Sequence, residues 1–357
     1  MEDRVLLRGS EVIGEAALRA GCRCYFGYPI TPQNELPEYM ARRMAEIEGA
    51  VFLQSESELA GINMVLGASV TGTRVMTSSS SPGISLMQEG LSYLAACELP
   101  AVVVNIVRGG PGLGNIAPAQ SDYFQATRGG GHGDYRCIVL APASLQEAAD
   151  VTYEAFDLAD RYRIPVIIMG DGMMGQIMEP VRLPPFKKEV PKKDWSIRGA
   201  GDGPSRFVRS LLLDVNVLEE HNWKLYRKYQ RIERREVRYD AYMADDADFI
   251  IVAYGTAARI AKGAVKRSRE KGRTVGLLRP ITLWPFPSQV LREYAERVKG
   301  FLVFEMSMGQ MLEDVKLAVE GRAPVEFFGR PGGVVVTPLE LERTVARRYH
   351  RLLAARG

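Results

Sequence analysis

The chain has 357 residues, 46% of them apolar and 25% charged, with a formal net charge of +3 at pH 7. That length is too great for one ordinary core and implies two domains; the composition is that of a globular protein, and so small a charge gives no ground for nucleic-acid binding. No apolar run approaches the roughly 18 residues of a membrane span, and the charged start Met1-Glu2-Asp3-Arg4 lacks the apolar core of a signal peptide. The expectation is a cytoplasmic protein with neither membrane nor nucleic acid as a partner.

In the first half, short Val/Ile-rich runs that read as buried parallel strands alternate with longer amphipathic or small-residue helices. Strands are expected at 22–27, 51–54, 74–77, 101–107, 137–141 and 165–169, and helices at 11–20, 33–46, 58–69, 84–96 and 145–159. Ser10 and Ser144 read as N-caps, Ser144 with Glu147 three residues on as a capping box. This is a doubly wound parallel sheet of the α/β class, in which ligands sit beyond the carboxyl ends of the strands. The pattern dissolves from 183 to 238. Pro184, Pro185, Pro191 and Pro204, with Gly199, Gly201 and Gly203, mark an irregular connection. A basic stretch at 223–235 follows. Its charges are mixed and it stands alone, so it reads as a charged helix at a domain or subunit border rather than a nucleic-acid patch. Alternation resumes with a strand from 249, a helix over 256–271, strands at 274–278 and 301–305, and an Arg-rich helix from near Pro338. The expected division is 1–183, a connection over 184–238, and a smaller α/β domain over 239–357.

The four cysteines, Cys22, Cys24, Cys97 and Cys137, have no spacing that suits zinc or iron–sulfur ligation and are expected to be inert buried thiols. Chemistry is expected instead at strand ends. In Tyr28-Pro29-Ile30-Thr31-Pro32 two prolines stiffen the backbone and hold the Thr31 hydroxyl. Glu58 opens a helix of small and apolar residues. The helix dipole alone favours an acid there, but a carboxylate at the mouth of a helix buried on most sides also loses hydration, which favours the protonated form a proton relay needs. Arg108 stands at the root of the loop 109–115, able to grip a carboxylate. The glycines of Gly112-Leu-Gly114 resemble a dinucleotide fingerprint, but they come well after the strand, and Pro118 stands where a helix would open. The run Thr77-Ser78-Ser79-Ser80-Ser81-Pro82-Gly83 is a hydroxyl-rich strand-to-helix turn suited either to an anion or to a plain cap. With no nucleophile elbow, and with only His132, His221 and His350 as histidines, a serine hydrolase is excluded as a useful reading.

Together and in this order, Tyr28–Pro32, the Gln54–Glu58 helix start, Thr77–Met87 and Arg108-Gly-Gly-Pro-Gly resemble the α subunit of 2-oxoacid:ferredoxin oxidoreductases, most of all the branched-chain (2-oxoisovalerate) type. The likeness runs over nearly the whole chain, with Val252–Thr256 and Leu278–Phe286 similar to the family's transketolase C-terminal-type domain. It implies a pyrimidine-type thiamine-diphosphate-binding domain followed by that smaller domain. Glu58 matches the glutamate that hydrogen-bonds N1′ of the aminopyrimidine and favours the tautomer that takes the C2 proton. Thr31 and Arg108 match the residues at the substrate carboxylate. Tyr28, Pro29, Ile30, Thr31 and Ser81, with Glu58, are the residues expected against the cofactor. The implied reaction converts a 2-oxoacid, coenzyme A and oxidised ferredoxin into acyl-CoA, carbon dioxide and reduced ferredoxin, in anaerobic metabolism.

Gly170-Asp171-Gly172 looks like the start of the family's Mg²⁺–diphosphate motif, but no Asn stands in the window 196–201 where the second half belongs. No metal ligand is therefore expected in this chain. A partner β subunit is implied to supply Mg²⁺ and diphosphate binding, and γ and ferredoxin-like δ subunits to carry the iron–sulfur clusters. The wording of Gly114–Asp122 is closest to the branched-chain type, and residues 115–122 contain no Lys or Arg to pair with the distal carboxylate of 2-oxoglutarate. Another 2-oxoacid, or a catalytically silent scaffold, remains the alternative.

Overall fold

Continuous apolar runs build the first sheet, and the computed structural model describes residues 4–199 and 205–354. Met1, Glu2, Asp3, Gly201, Gly203 and Pro204, read above as parts of the amino terminus and the connection, lie outside the described residues. The strands are β1 (Val5–Arg8), β2 (Cys24–Gly27), β3 (Val51–Gln54), β4 (Val75–Ser79), β5 (Ala101–Val107), β6 (Ile138–Leu140), β7 (Pro165–Asp171), β8 (Met178–Val181), β9 (Tyr239–Tyr242), β10 (Phe249–Val252), β11 (Val275–Pro280), β12 (Thr282–Trp284), β13 (Gly300–Glu305) and β14 (Val325–Gly329). Seven form one sheet in the order β12-β6-β7-β5-β4-β2-β3, parallel except for β12. Its central strands β4, β5 and β7 are buried along their whole length, as helices on both faces of a parallel sheet demand. A second sheet, β14-β13-β10-β11-β9, is parallel except for β9. The chain is thus the α/β fold expected, two doubly wound sheets. β1 and β8 form a separate antiparallel ribbon that the reading of the sequence missed, because its short strands are mostly exposed and carry no alternation.

Several local expectations need correction. Arg8, not Ser10, caps the helix Gly9–Arg19, its backbone N–H donating to the Glu11 carboxylate at 2.9 Å. β1 runs straight into this helix, and Gly9 packs so close to Met174 that a Cβ would lie 1.9 Å from its carbonyl oxygen. Ser10 is therefore carried inside. The helix expected over 33–46 starts at Glu35, because Gln33 is drawn toward β4, where its amide oxygen accepts the Ser78 hydroxyl at 2.5 Å. The helix expected over 84–96 is two, Pro82–Leu86 and Gln88–Ala96, joined at Met87. The helix Glu58–Val70 buries Glu58, Gly61, Ile62, Val65 and Ser69, but Leu59 on its other face is 46% exposed; it is covered on one side, not most sides. Cys22 and Cys137 are buried as expected, whereas Cys24 and Cys97 are only half-buried. The basic stretch lies in a helix, Val215–Arg235, that buries Leu225, Lys228, Tyr229 and Ile232. No described helix is long and apolar enough to cross a membrane.

Several features join the sheets. β12 leaves the second sheet directly after β11 and pairs with β6 of the first. Ser144 does cap the helix Leu145–Tyr162, accepting the Glu147 N–H at 3.2 Å, but the Glu147 carboxylate turns to the Ala143 N–H and to both Nη atoms of Arg279 on β11. A further join is Gln120, 2% exposed. Its backbone N–H donates to Met306 O (3.0 Å), its side-chain amide donates to Tyr254 O (2.9 Å), its side-chain oxygen accepts Met306 N–H (3.0 Å), and its backbone oxygen accepts the Tyr254 hydroxyl (3.2 Å). Replacing Gln120 by Leu removes the two side-chain bonds and strands the buried Met306 N–H, while Tyr254 O keeps the Ala258 N–H, at a cost on the order of 2 kcal/mol. A lowered unfolding midpoint in urea is the expected reading.

Candidate functional site at the strand ends

The strands β5, β4, β2 and β3 lie side by side, so the segments that leave their carboxyl ends are neighbours. After β2 come Tyr28–Thr31, after β3 Glu58, after β4 Ser79–Ser81 and after β5 Arg108. The sheet carries Tyr28–Thr31, Glu58, Ser81 and Arg108 to one edge. Glu58, 5% exposed, is the first residue of its helix behind the Ser57 cap. Its Oε1 accepts the Ser79 hydroxyl at 3.2 Å, and its Oε2 has no hydrogen-bond partner among the described residues. Gly83 packs against this pair so tightly that a Cβ would lie 2.0 Å from Ser79 Oγ and 2.3 Å from Glu58 Oε1.

Arg108 is buried, and its guanidinium is not free at the loop root as expected. Nη1 donates to Thr31 O at 2.9 Å and Nη2 to Leu113 O at 3.1 Å, which ties the Tyr28–Pro32 turn to the glycine loop; Nε is buried without a protein partner. Tyr28, Pro29 and Thr31 are exposed and Ile30 half-buried. The Tyr28 and Ile30 carbonyls accept from Gln33, at 3.5 and 3.1 Å, so the turn is pinned by its backbone while its side chains face outward. Ser81 has φ 27° and ψ −78°, a costly conformation for a residue with a Cβ. It persists because both its ends are held: its N–H donates to Asn105 Oδ1 (3.2 Å) and its hydroxyl accepts Arg108 N–H (3.0 Å). The hydroxyls of Thr77 and Ser80 are buried with no partner.

The loop with Gly112 and Gly114 is a tight hairpin. Arg108 and Pro118 pair as an antiparallel bridge, Asn115 N–H donates to Gly109 O at 2.9 Å, and a Cβ on Gly114 would meet that oxygen at 1.7 Å. No helix opens there. Asp171 is likewise occupied: its carboxylate caps the short helix Gly172–Gln176 through the N–H groups of Met173 and Met174 and accepts from Thr256. Burial holds its pKa up against those bonds. Burial also raises Asp122, opposed by hydrogen bonds from Asn105 and Ser81, and raises Glu305, opposed by the N–H groups of Met311 and Leu312 and by Ser307. His132 contributes its carbonyl to Ser92. The sequence singled out the segments that hold Ser79 and Gly83 and that hold Gln120 and Asp122 without giving those four residues roles, and Asn105 was missed. Asn105 did carry a local signal, as the single polar residue in the run Ala101–Val107.

Comparison with known proteins adds three findings. The family described as "Pyruvate flavodoxin/ferredoxin oxidoreductase, thiamine diP-bdg" matches residues 15–239, and "Pyruvate:ferredoxin oxidoreductase core domain II" matches residues 247–341. The ketoisovalerate oxidoreductase subunit VorB of Methanothermobacter marburgensis is 50% identical over 95% of this chain and 96% of its own length. The 2-oxoglutarate synthase subunit KorA of Methanothermobacter thermautotrophicus is 37% identical over 96% and 98%. Among solved structures, a 2-oxoglutarate:ferredoxin oxidoreductase from Magnetococcus marinus, with 2-oxoglutarate, coenzyme A and succinyl-CoA bound, superposes with a TM-score of 0.86 at 25% identity, covering 98% of this chain and 66% of that one.

The packing at Gly83 is directly testable. Gly83→Ala forces Ser79 and Glu58 apart and is expected to destabilise the fold by about 1–3 kcal/mol, measured by chemical denaturation.

Proposed function

The chain belongs to the 2-oxoacid:ferredoxin oxidoreductase family, thiamine-diphosphate enzymes with separate subunits, and from that premise we propose that it is the α subunit of an enzyme oxidising branched-chain 2-oxoacids, 2-oxoisovalerate foremost, to acyl-CoA with reduction of ferredoxin. The observation that carries the reading is Glu58: a buried carboxylate held on one oxygen by Ser79, with a glycine against it where any side chain would intrude. That arrangement fits the flat edge of an aminopyrimidine, and the unpartnered hydroxyls of Thr77 and Ser80 leave further buried polar atoms nearby in the chain. Thiamine diphosphate, when bound, supplies the nucleophilic carbon and the electron sink for decarboxylation. Glu58 holds and returns a proton at N1′. Tyr28, Pro29, Ile30 and Thr31 line the cofactor from the stiff turn after β2, and Ser81 from the turn after β4. Arg108 and the Thr31 hydroxyl orient the substrate carboxylate.

The residues present do not fit Mg²⁺ and diphosphate. Asp171 is committed to its helix cap, and among the described residues no group of three His, Cys, Asp or Glu side chains is placed to hold a metal ion. We assign that half of the site to a β subunit. In support, the open face of the helix Glu58–Val70 carries Leu59, Met64 and Leu66, with Asn63 its one polar side chain, and such a helix needs cover. The γ and δ subunits, with the iron–sulfur clusters, coenzyme A and ferredoxin as further partners, belong to the same proposal. We divide the chain at 183 and 238 into the cofactor-binding domain, the connection and the transketolase C-terminal-like domain, and the two family matches meeting between 239 and 247 support the second boundary. Branched-chain specificity draws support from the relative at 50% identity against 37% for the 2-oxoglutarate one, and from residues 115–122 offering no cation for a second carboxylate.

In the assembled complex, Glu58→Gln is expected to lower kcat by about 10²–10⁴-fold without dissolving the assembly; undiminished turnover would make this chain a scaffold. Acyl-CoA formation measured on both substrates should favour 2-oxoisovalerate over 2-oxoglutarate in kcat/KM by at least about tenfold. A preference for 2-oxoglutarate would keep the family and overturn the specificity.

A further inference from the structure

β5 is buried on both faces and apolar except at one position, Asn105, which is 1% exposed. A buried primary amide is costly unless it is fully hydrogen-bonded, and both ends of this one are used. Oδ1 accepts the N–H of Ser81 at 3.2 Å, and Nδ2 donates to Asp122 Oδ2 at 2.9 Å. The two partners come from different directions. Ser81 is the strained residue where β4 turns into the helix Pro82–Leu86, and its hydroxyl receives the backbone N–H of Arg108. Asp122 ends the loop that Gln120 clamps to the second sheet, and it also takes a hydrogen bond from Ser81. In the sheet register Asn105 lies directly beside Ser79, the partner of Glu58. One amide therefore stands between the segment that holds Glu58, the backbone of Arg108 and the loop fastened to the second domain.

We propose that Asn105, oriented by Asp122, is a positioning residue for the reaction: it keeps the Ser79–Ser81 turn and Arg108 in one register, so that the proton-handling carboxylate and the substrate-gripping cation address the same reacting centre. The inference rests on the roles assigned above to Glu58 and Arg108. Asn105 touches neither substrate nor cofactor in this account and acts through Ser81.

The test is an exchange of the pair in the full multi-subunit complex. Asn105→Asp keeps the acceptor for Ser81 N–H but sets a carboxylate against Asp122 with no donor between them. It should lower kcat/KM for the 2-oxoacid on the order of 100-fold, the scale of a small misplacement of reacting groups, while KM for coenzyme A stays within about twofold. Adding Asp122→Asn restores a donor, now from position 122 to position 105, and should recover most of the loss. A role in packing alone would not be mended by exchanging the two polar groups. Parental kcat/KM in Asn105→Asp would overturn the inference, as would a double variant no better than the single one. Should the single variant fail to assemble, the double variant decides: recovered assembly and turnover support the pairing, and continued failure overturns it. A parental complex silent on every 2-oxoacid would instead sink the proposed function, and this inference with it.

Discussion

Gln120 uses every hydrogen-bonding group it has, backbone and side chain, on Tyr254 and Met306, which follow the carboxyl ends of β10 and β13. The site depends on this clamp. The loop it belongs to begins at Arg108, folds back through the Arg108–Pro118 bridge and ends at Asp122, so its position decides where the Arg108 side chain and the Asn105 amide find their partners. Flanking contacts distribute the same load: Asn115 donates to Gly332 O at 2.9 Å, and Gln310 bonds both Ser121 O and Phe124 N–H, at 2.7 Å each. The two sheets are thus joined by polar bonds, those of Gln120 buried and that of Asn115 exposed, and a buried group that loses its bond is left unsatisfied.

Beneath the clamp, the parallel sheet does the assembling. Four strands in the order β5-β4-β2-β3 end together, and parallel registration carries each following segment to the same edge. The groups that anchor the site are buried: Glu58 on Ser79, Arg108 on two carbonyls, Asn105 on Ser81 and Asp122. The groups that face outward, Tyr28, Pro29 and Thr31, hang from backbones that Gln33 and Arg108 pin from below. This division, a pinned floor beneath exposed side chains, is what the half-site proposed above requires. Leu59, Leu86, Leu113 and Ile116 are exposed on the segments that follow these strands.

How much of this the sequence carried differs by element. The central strands were legible because burial on both faces leaves an uninterrupted Val/Ile run, as in Ala101–Val107. The ribbon of β1 and β8, and β12 with its return to the first sheet, were not: β1 and β8 are mostly exposed, β12 follows β11 after a single residue, and all three are placed by their partners. Tyr28–Thr31, Glu58, Ser81 and Arg108 were named from proline pairs, a helix start and strand ends, and the fold brings all of them to one edge. Asn105, Asp122 and Gln120 escaped notice because a single polar residue in an apolar or loop context means nothing until its partner, 17 to 186 residues away, is known.

The sequence by itself thus determined the class of fold, the order of the main strands and the residue types at each strand end, because periodicity, proline and glycine act locally on the backbone. The tertiary structure alone decided that Arg108 is tied to Thr31 and Leu113 rather than free, that the helix behind Glu58 keeps an exposed apolar face, and that one loop is fastened to a second sheet. Those outcomes turn on hydrogen bonds and contacts between segments far apart in the chain, which exist only once the strands have been laid side by side.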